Sequence, residues 1–144
     1  MPYLQPTNAD LNAGTWKTVL IKRPDTFSLA APLAITHINY VAELNGKLVG
    51  GAGIYPTEGL PEKTCELVKL YLNKDARGIG LGKQLLLKSM QWAKENGYEQ
   101  VYLESMPELS KAVSIYENVG FKKIHHALGN SGHDGCDIWM IKNL

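Results

Sequence analysis

Seven consecutive residues, Arg77-Gly78-Ile79-Gly80-Leu81-Gly82-Lys83, place three glycines at alternate positions between two basic side chains. A glycine-rich turn that runs into a helix leaves successive backbone N–H groups without acceptors, able to converge on an anion. Side chains at the glycine positions would hold phosphate oxygens off the backbone, so a diphosphate suits such a turn. Spacing separates it from two familiar phosphate loops. Walker A needs Gly-x4-Gly-Lys-Ser/Thr, but Gln84 follows Gly82-Lys83 and Arg77 stands at the first glycine's place. The dinucleotide fingerprint Gly-x-Gly-x-x-Gly also fails, its third glycine falling on Lys83 or Leu85. The spacing present is Arg-x-x-Gly-x-Gly, at Arg77, Gly80 and Gly82.

A second polar stretch is Gly129-Asn130-Ser131-Gly132-His133-Asp134-Gly135-Cys136-Asp137. It reads as a hairpin loop, with His133 as a substrate-facing proton shuttle or hydrogen-bond donor if the loop covers a groove. His125, His126, His133 and Cys136 lack the paired spacing of a metal site, so no metal is expected. Cys65 and Cys136 are too few for a disulfide framework and are expected as free thiols.

These groups need elements to hold them. Asn45-Gly46 between Ile38–Leu44 and Lys47–Ile54 predicts a β-hairpin with a type I′ turn. Tyr55–Lys63, with two prolines and a glycine, predicts a loop, and Thr64–Leu72 a strand ahead of the glycine turn. Leu81, Leu85, Leu86, Met90 and Ala93 recur at helical spacing up to Gly97. Gln100–Glu104 predicts a strand, Glu108–Val119 a helix opened by Pro107, and Phe121–Ala127 and Asp137–Ile141 two last strands. Before Ile38 the pattern is poor. Tyr3–Gln5 suits a short strand; Leu11, Trp16, Val19 and Leu20 suit a helix ended by Pro24; Asp25–His37 permits only a short or broken helix.

Composition narrows the class. A chain of 144 residues with 44% hydrophobic content predicts one domain over 1–144 around one core. A net charge of +1 offers no footprint for nucleic acid. No apolar run approaches the roughly 20 residues of a membrane span, so no membrane partner is expected. Met1-Pro2-Tyr3 opens without a signal-peptide pattern, so a cytoplasmic location is expected. Fourteen glycines exceed the average share of about 7%, and most fall at turns, helix ends and the two loops above.

The glycine turn, with a strand before it and Ala112-Val113-Ser114-Ile115-Tyr116-Glu117-Asn118-Val119-Gly120-Phe121 after it, resembles the GNAT N-acetyltransferase superfamily over Ile38–Leu144. The resemblance implies an α/β fold whose central, mostly antiparallel sheet is splayed around acetyl-CoA, with flanking helices. Residues 1–37 are then a shortened or irregular version of the family's N-terminal strand and helices.

The resemblance also implies roles. Main chain at Leu70, Tyr71 and Leu72 would pair with the pantetheine arm, and Arg77, Gly78, Ile79, Gly80, Leu81, Gly82 and Lys83 would hold the pyrophosphate. Tyr116 would lie near the CoA sulfur and protonate the departing thiolate. Glu66 matches a position where some members keep a base, acting directly or through a water. Alternation places Glu66 on the face of Val68 and Leu70. A strand-end carboxylate in solvent, or paired with a lysine such as Lys63 or Lys69, is the competing reading of Glu66, and Glu104 is a second candidate base. Leu109 stands where many relatives carry asparagine, so one cofactor contact is missing or passes to a neighbour such as Ser110.

The implied activity is acetyl transfer from acetyl-CoA to a primary amine of a small molecule or peptide. A catalytically silent CoA-binding module is the rival. A homodimer is compatible with the sequence, which does not name the acceptor.

Overall fold

The hairpin forms as expected. β2 (Ile38–Leu44) and β3 (Lys47–Tyr55) pair antiparallel, with Gly46 at φ +81°, a conformation glycine adopts without steric cost. The computed structural model describes residues 19–22, 38–44, 46–129, 135 and 137–144. β1 (Val19–Lys22) precedes the hairpin; β4 (Thr64–Leu72), α1 (Leu81–Glu95), β5 (Gln100–Ser105), α2 (Ser110–Asn118), β6 (Lys122–Ile124) and β7 (Ile138–Asn143) follow it. The strands make one seven-stranded sheet in the order β1-β2-β3-β4-β5-β7-β6. Every neighbouring pair is antiparallel except β4 and β5, which are parallel. A parallel pair requires a crossover, and α1 supplies it.

Register places Ile38, Tyr40, Ala42, Ala52, Ile54, Cys65, Leu67, Val101, Leu103 and Met140 on one sheet face. There they form a single buried cluster with Leu81, Leu85, Leu86, Met90 and Ala93 of α1 and Val113 and Tyr116 of α2. This is called the helix face below. Both helices end as their glycines suggest, Gly97 at φ +90° and Gly120 at φ +106°.

Three sequence expectations are corrected here. Val19 and Leu20 belong to strand β1, paired with Val41–Leu44, and not to a helix. Val19-Leu20-Ile21 is a short, largely β-branched run, and the edge of β2 offers it a ladder that outweighs a sparse helical spacing. The remainder of that expected helix, Tyr3–Gln5 and Asp25–His37 lie outside the described residues. Phe121–Ala127 yields only the three-residue β6, because Phe121 closes α2 by donating its N–H to the Tyr116 carbonyl at 3.0 Å. Residues 107–109, expected within or beside the second helix, form a separate 3-10 turn led by Pro107. Among the described residues, no helix is long and apolar enough to cross a membrane.

Candidate active site

β4 and β5 pair only through Thr64↔Gln100, Cys65↔Val101 and Glu66↔Tyr102. Beyond that rung β4 continues to Leu72 and β5 to Ser105 without pairing, so a gap opens in the middle of the sheet. Along it, β4 presents backbone N–H and C=O groups that no neighbouring strand engages, a template for an added strand. A bulge accompanies the opening. Between Gly53↔Val68 and Gly51↔Tyr71, β3 advances two residues while β4 advances three. The extra residue bends β4 and raises its twist at the point where pairing with β5 has stopped.

The bulge also resets which way the side chains face. Leu70 and Leu72 join Leu67 on the helix face, whereas Glu66, Val68 and Tyr71 lie opposite. Glu66 therefore does not share a face with Leu70. Simple alternation fails because it cannot count the inserted residue.

The glycine turn closes the wide end of this gap. Asn73 follows β4 and is tied back to β3, its N–H donating to the Val49 carbonyl at 2.7 Å. A 3-10 turn over Lys74–Ala76 leads to Gly78 at φ +84° and Gly80 at φ +80°, left-handed conformations that favour glycine. A side chain at either position would meet nothing within 4 Å. Gly80 caps α1, and the first intrahelical bond runs from the Gln84 N–H to the Gly80 carbonyl at 3.1 Å. The N–H groups of Leu81, Gly82 and Lys83 thus have no intrahelical acceptor. Arg77 Nε donates to the Leu72 carbonyl at 3.2 Å, fixing the loop against the end of β4.

Glycine has a second use here. The Leu72 side chain fits between Gly50 and Gly82; a Cβ would lie 2.6 Å from it at the first and 3.2 Å at the second. These two absences of a side chain let the first turn of α1 sit directly over the end of β4. The helix N-terminus and the unpaired edge therefore adjoin one another.

On the face opposite the helices, the last β4–β5 rung sets Glu66 beside Tyr102. Glu66 is 1% exposed and accepts the Thr57 hydroxyl on Oε1 at 2.6 Å. The fully buried Tyr102 donates its hydroxyl to Glu104 Oε2 at 2.6 Å and accepts the Leu128 N–H at 3.0 Å. Burial, and then the Glu104 carboxylate it bonds, push the Tyr102 phenol upward, which keeps it a donor. A Cβ on Gly129 would come within 2.9 Å of Leu60, so Gly129, next to Leu128, packs on the loop that carries Thr57. Two loops and two carboxylates thus converge beside the closed end of the gap. Sequence reasoning missed Thr57 and Tyr102; the alternation of Tyr102 with Glu104 is visible, but its alignment with Glu66 depends on the parallel register.

Tyr116 belongs to the helix-face cluster, 7% exposed, with its ring edge-on to Phe121 at 5.9 Å between centroids. Burial pushes its phenol up to about 12. The two residues singled out for acid and base work therefore lie on opposite faces of the sheet. Cys65 is buried on the helix face, its thiol 3.6 Å from the Gln100 carbonyl and pushed up to about 12 by burial, so it is not a ready nucleophile. Leu109 is 49% exposed, and Ser110 is exposed with its carbonyl taken by the Ser114 hydroxyl. Ser105 is 3% exposed, and its Oγ is buried with no hydrogen-bond partner among the described residues. The signal was a polar residue at a core-facing step of Val101-Tyr102-Leu103-Glu104-Ser105. His133 and Cys136 lie outside the described residues. Among those described, no group of three or more His, Cys, Asp or Glu is placed to hold a metal ion.

Comparison with known proteins agrees with this arrangement. Residues 16–121 match the model of the acetyltransferase (GNAT) family, beginning upstream of the motifs recognised from Ile38 onward. The chain is 42% identical over 108 residues to the uncharacterized N-acetyltransferase YjgM of Escherichia coli K12, covering 75% of this chain and 65% of that one. An acetyltransferase of the GNAT family from Staphylococcus aureus Mu50 shares the fold with a TM-score of 0.67, at 24% identity over 74% of this chain and 68% of its own. The PaiA N-acetyltransferase of Thermoplasma acidophilum, solved in complex with coenzyme A, does so at 0.62, with 24% identity over 76% of this chain and 62% of its own. The chain spans 38% to 65% of the length of curated relatives that it matches. With a sheet split between β4 and β5, a glycine turn at the split and the family model matched over most of its length, the chain belongs to the GNAT family of acyltransferases.

Proposed function

We propose that residues 1–144 act as one N-acetyltransferase domain that transfers the acetyl group of acetyl-CoA directly to a primary amine in a ternary complex. The observation that carries this is the juxtaposition of the unpaired β4 edge with the N-terminus of α1. The first suits an extended amide-bearing arm, and the second suits a pyrophosphate. The residues present therefore fit CoA, and PaiA, which shares the fold, was solved with coenzyme A. Acetyl-CoA supplies the thioester; the amine nitrogen bonds to its carbonyl carbon as the C–S bond breaks, giving an amide and a free thiol.

Main chain at Leu70, Tyr71 and Leu72 orients the pantetheine arm, while the turn from Arg77 to Lys83 holds the pyrophosphate. From the helix face, Tyr116 gives its proton to the departing sulfur. From the opposite face, Glu66 takes the proton that the amine nitrogen loses, directly or through a water, with its Oε1 held by Thr57. The acceptor then approaches from the carboxylate-bearing face, and the gap lets donor and acceptor meet in line. Transfer in one complex also accords with Cys65, whose raised thiol offers no acyl-enzyme route.

Glu66→Gln tests the base. Its kcat with acetyl-CoA and a responsive amine should fall by about tenfold or more, with CoA affinity unchanged, because glutamine keeps the shape but cannot accept the proton. Steady-state rates and calorimetric titration check this. Full turnover in Glu66→Gln would remove Glu66 from the mechanism.

A further inference from the structure

Ser105 ends β5 on the helix face, sharing it with Val101 and Leu103 by alternation. β7 covers one side of it through Ile138, its register partner. On its other side lies the gap, since the β4–β5 ladder stopped three residues earlier at Tyr102. Those three residues carry Ser105 about 10 Å beyond the closed end. The same distance along β4 is reached near Leu70, at the bulge.

A serine only 3% exposed, whose buried Oγ has no hydrogen-bond partner among the described residues, is rare in a native fold and asks for a reason. Its neighbours by sequence do not share this condition, because Leu109 and Ser110 are both exposed. We propose that Ser105 is a cofactor-binding residue whose Oγ–H donates a hydrogen bond to an amide carbonyl of the pantetheine arm. The arm is then held from two sides, by the main chain of β4 and by a side chain of β5. This assignment rests on the acetyl-CoA reading above and names one contact within it.

The test compares the wild-type chain with Ser105→Ala, by calorimetric titration with CoA and by thermal unfolding without ligand. Loss of one hydrogen bond should raise the Kd for CoA about tenfold. The ligand-free Tm should stay level or rise, because the substitution deletes a buried group with no partner. A purely structural hydroxyl would lower the Tm instead. Equal CoA affinity in the two proteins, or weaker binding accompanied by a lower ligand-free Tm, would overturn the Ser105 assignment. Wild-type protein that binds no CoA would overturn the acetyl-CoA reading, and this contact with it.

Discussion

Gly80→Val is expected to abolish measurable CoA binding, raising the Kd by at least about 100-fold. Gly80 holds φ +80° as the cap of α1, and a β-branched residue is a genuine outlier there. An added Cβ meets no atom within 4 Å, so the side chain starts in open space in the ligand-free protein. It does crowd the approach to the N–H groups of Leu81, Gly82 and Lys83, and relaxing the backbone would turn those groups away. Gly46→Val is the matched control. Gly46 also sits near φ +80° with open space around its Cβ, but in the hairpin turn. Both variants should lose about 1–2 kcal/mol of stability to left-handed strain, and only Gly80→Val should lose CoA. Calorimetry on the pair separates loss of the cradle from loss of stability. Intact affinity in Gly80→Val would refute the assignment of the glycine turn.

Tyr116→Phe should lower kcat by about 100-fold while leaving the Kd for CoA within a factor of about two. Phenylalanine preserves the buried ring and its edge-on contact with Phe121, so the substitution removes little beyond the hydroxyl. The sign of the pKa shift supports a donor. An ordinary phenol ionises near pH 10, whereas burial carries this one to about 12, so the proton is in place through about pH 10. Any limb of the rate profile near neutral pH must then belong to another group and should persist in the variant. Single-turnover rates at saturating acetyl-CoA give the most direct reading. Unchanged turnover would leave Tyr116 as a core aromatic and nothing more.

Much of the framework is legible from local rules. Asn45-Gly46 specifies a hairpin by turn chemistry, the leucine spacing after Gly80 specifies α1, and Gly97 and Gly120 mark helix ends. The glycine turn is likewise readable, because it is a contiguous run in which Gly78 and Gly80 take the positive φ that glycine favours. What escapes is set by contacts between distant segments. The extra residue of β4 carries no mark in Thr64–Leu72, yet it sends Leu70 and Glu66 to opposite faces. The pairing of Glu66 with Tyr102, and through Tyr102 with Glu104 and Leu128, follows from a parallel register 36 residues apart in the chain. β1 is legible neither by period nor by capping, because the edge it pairs with decides its state. Turn chemistry and periodicity thus locate the glycine turn and α1, while the group of Glu66, Tyr102 and Glu104 on the opposite face is assembled by tertiary pairing.

The most direct measurement is release of free thiol from acetyl-CoA by the wild-type protein across a panel of primary amines, small molecules and peptides together. The account predicts thiol release that depends on one class of amine, matches acetylated product mole for mole, and is lost in Gly80→Val. Firm CoA binding with no amine-dependent release anywhere in the panel would contradict it, and would mark the chain as a cofactor-binding module without transferase activity.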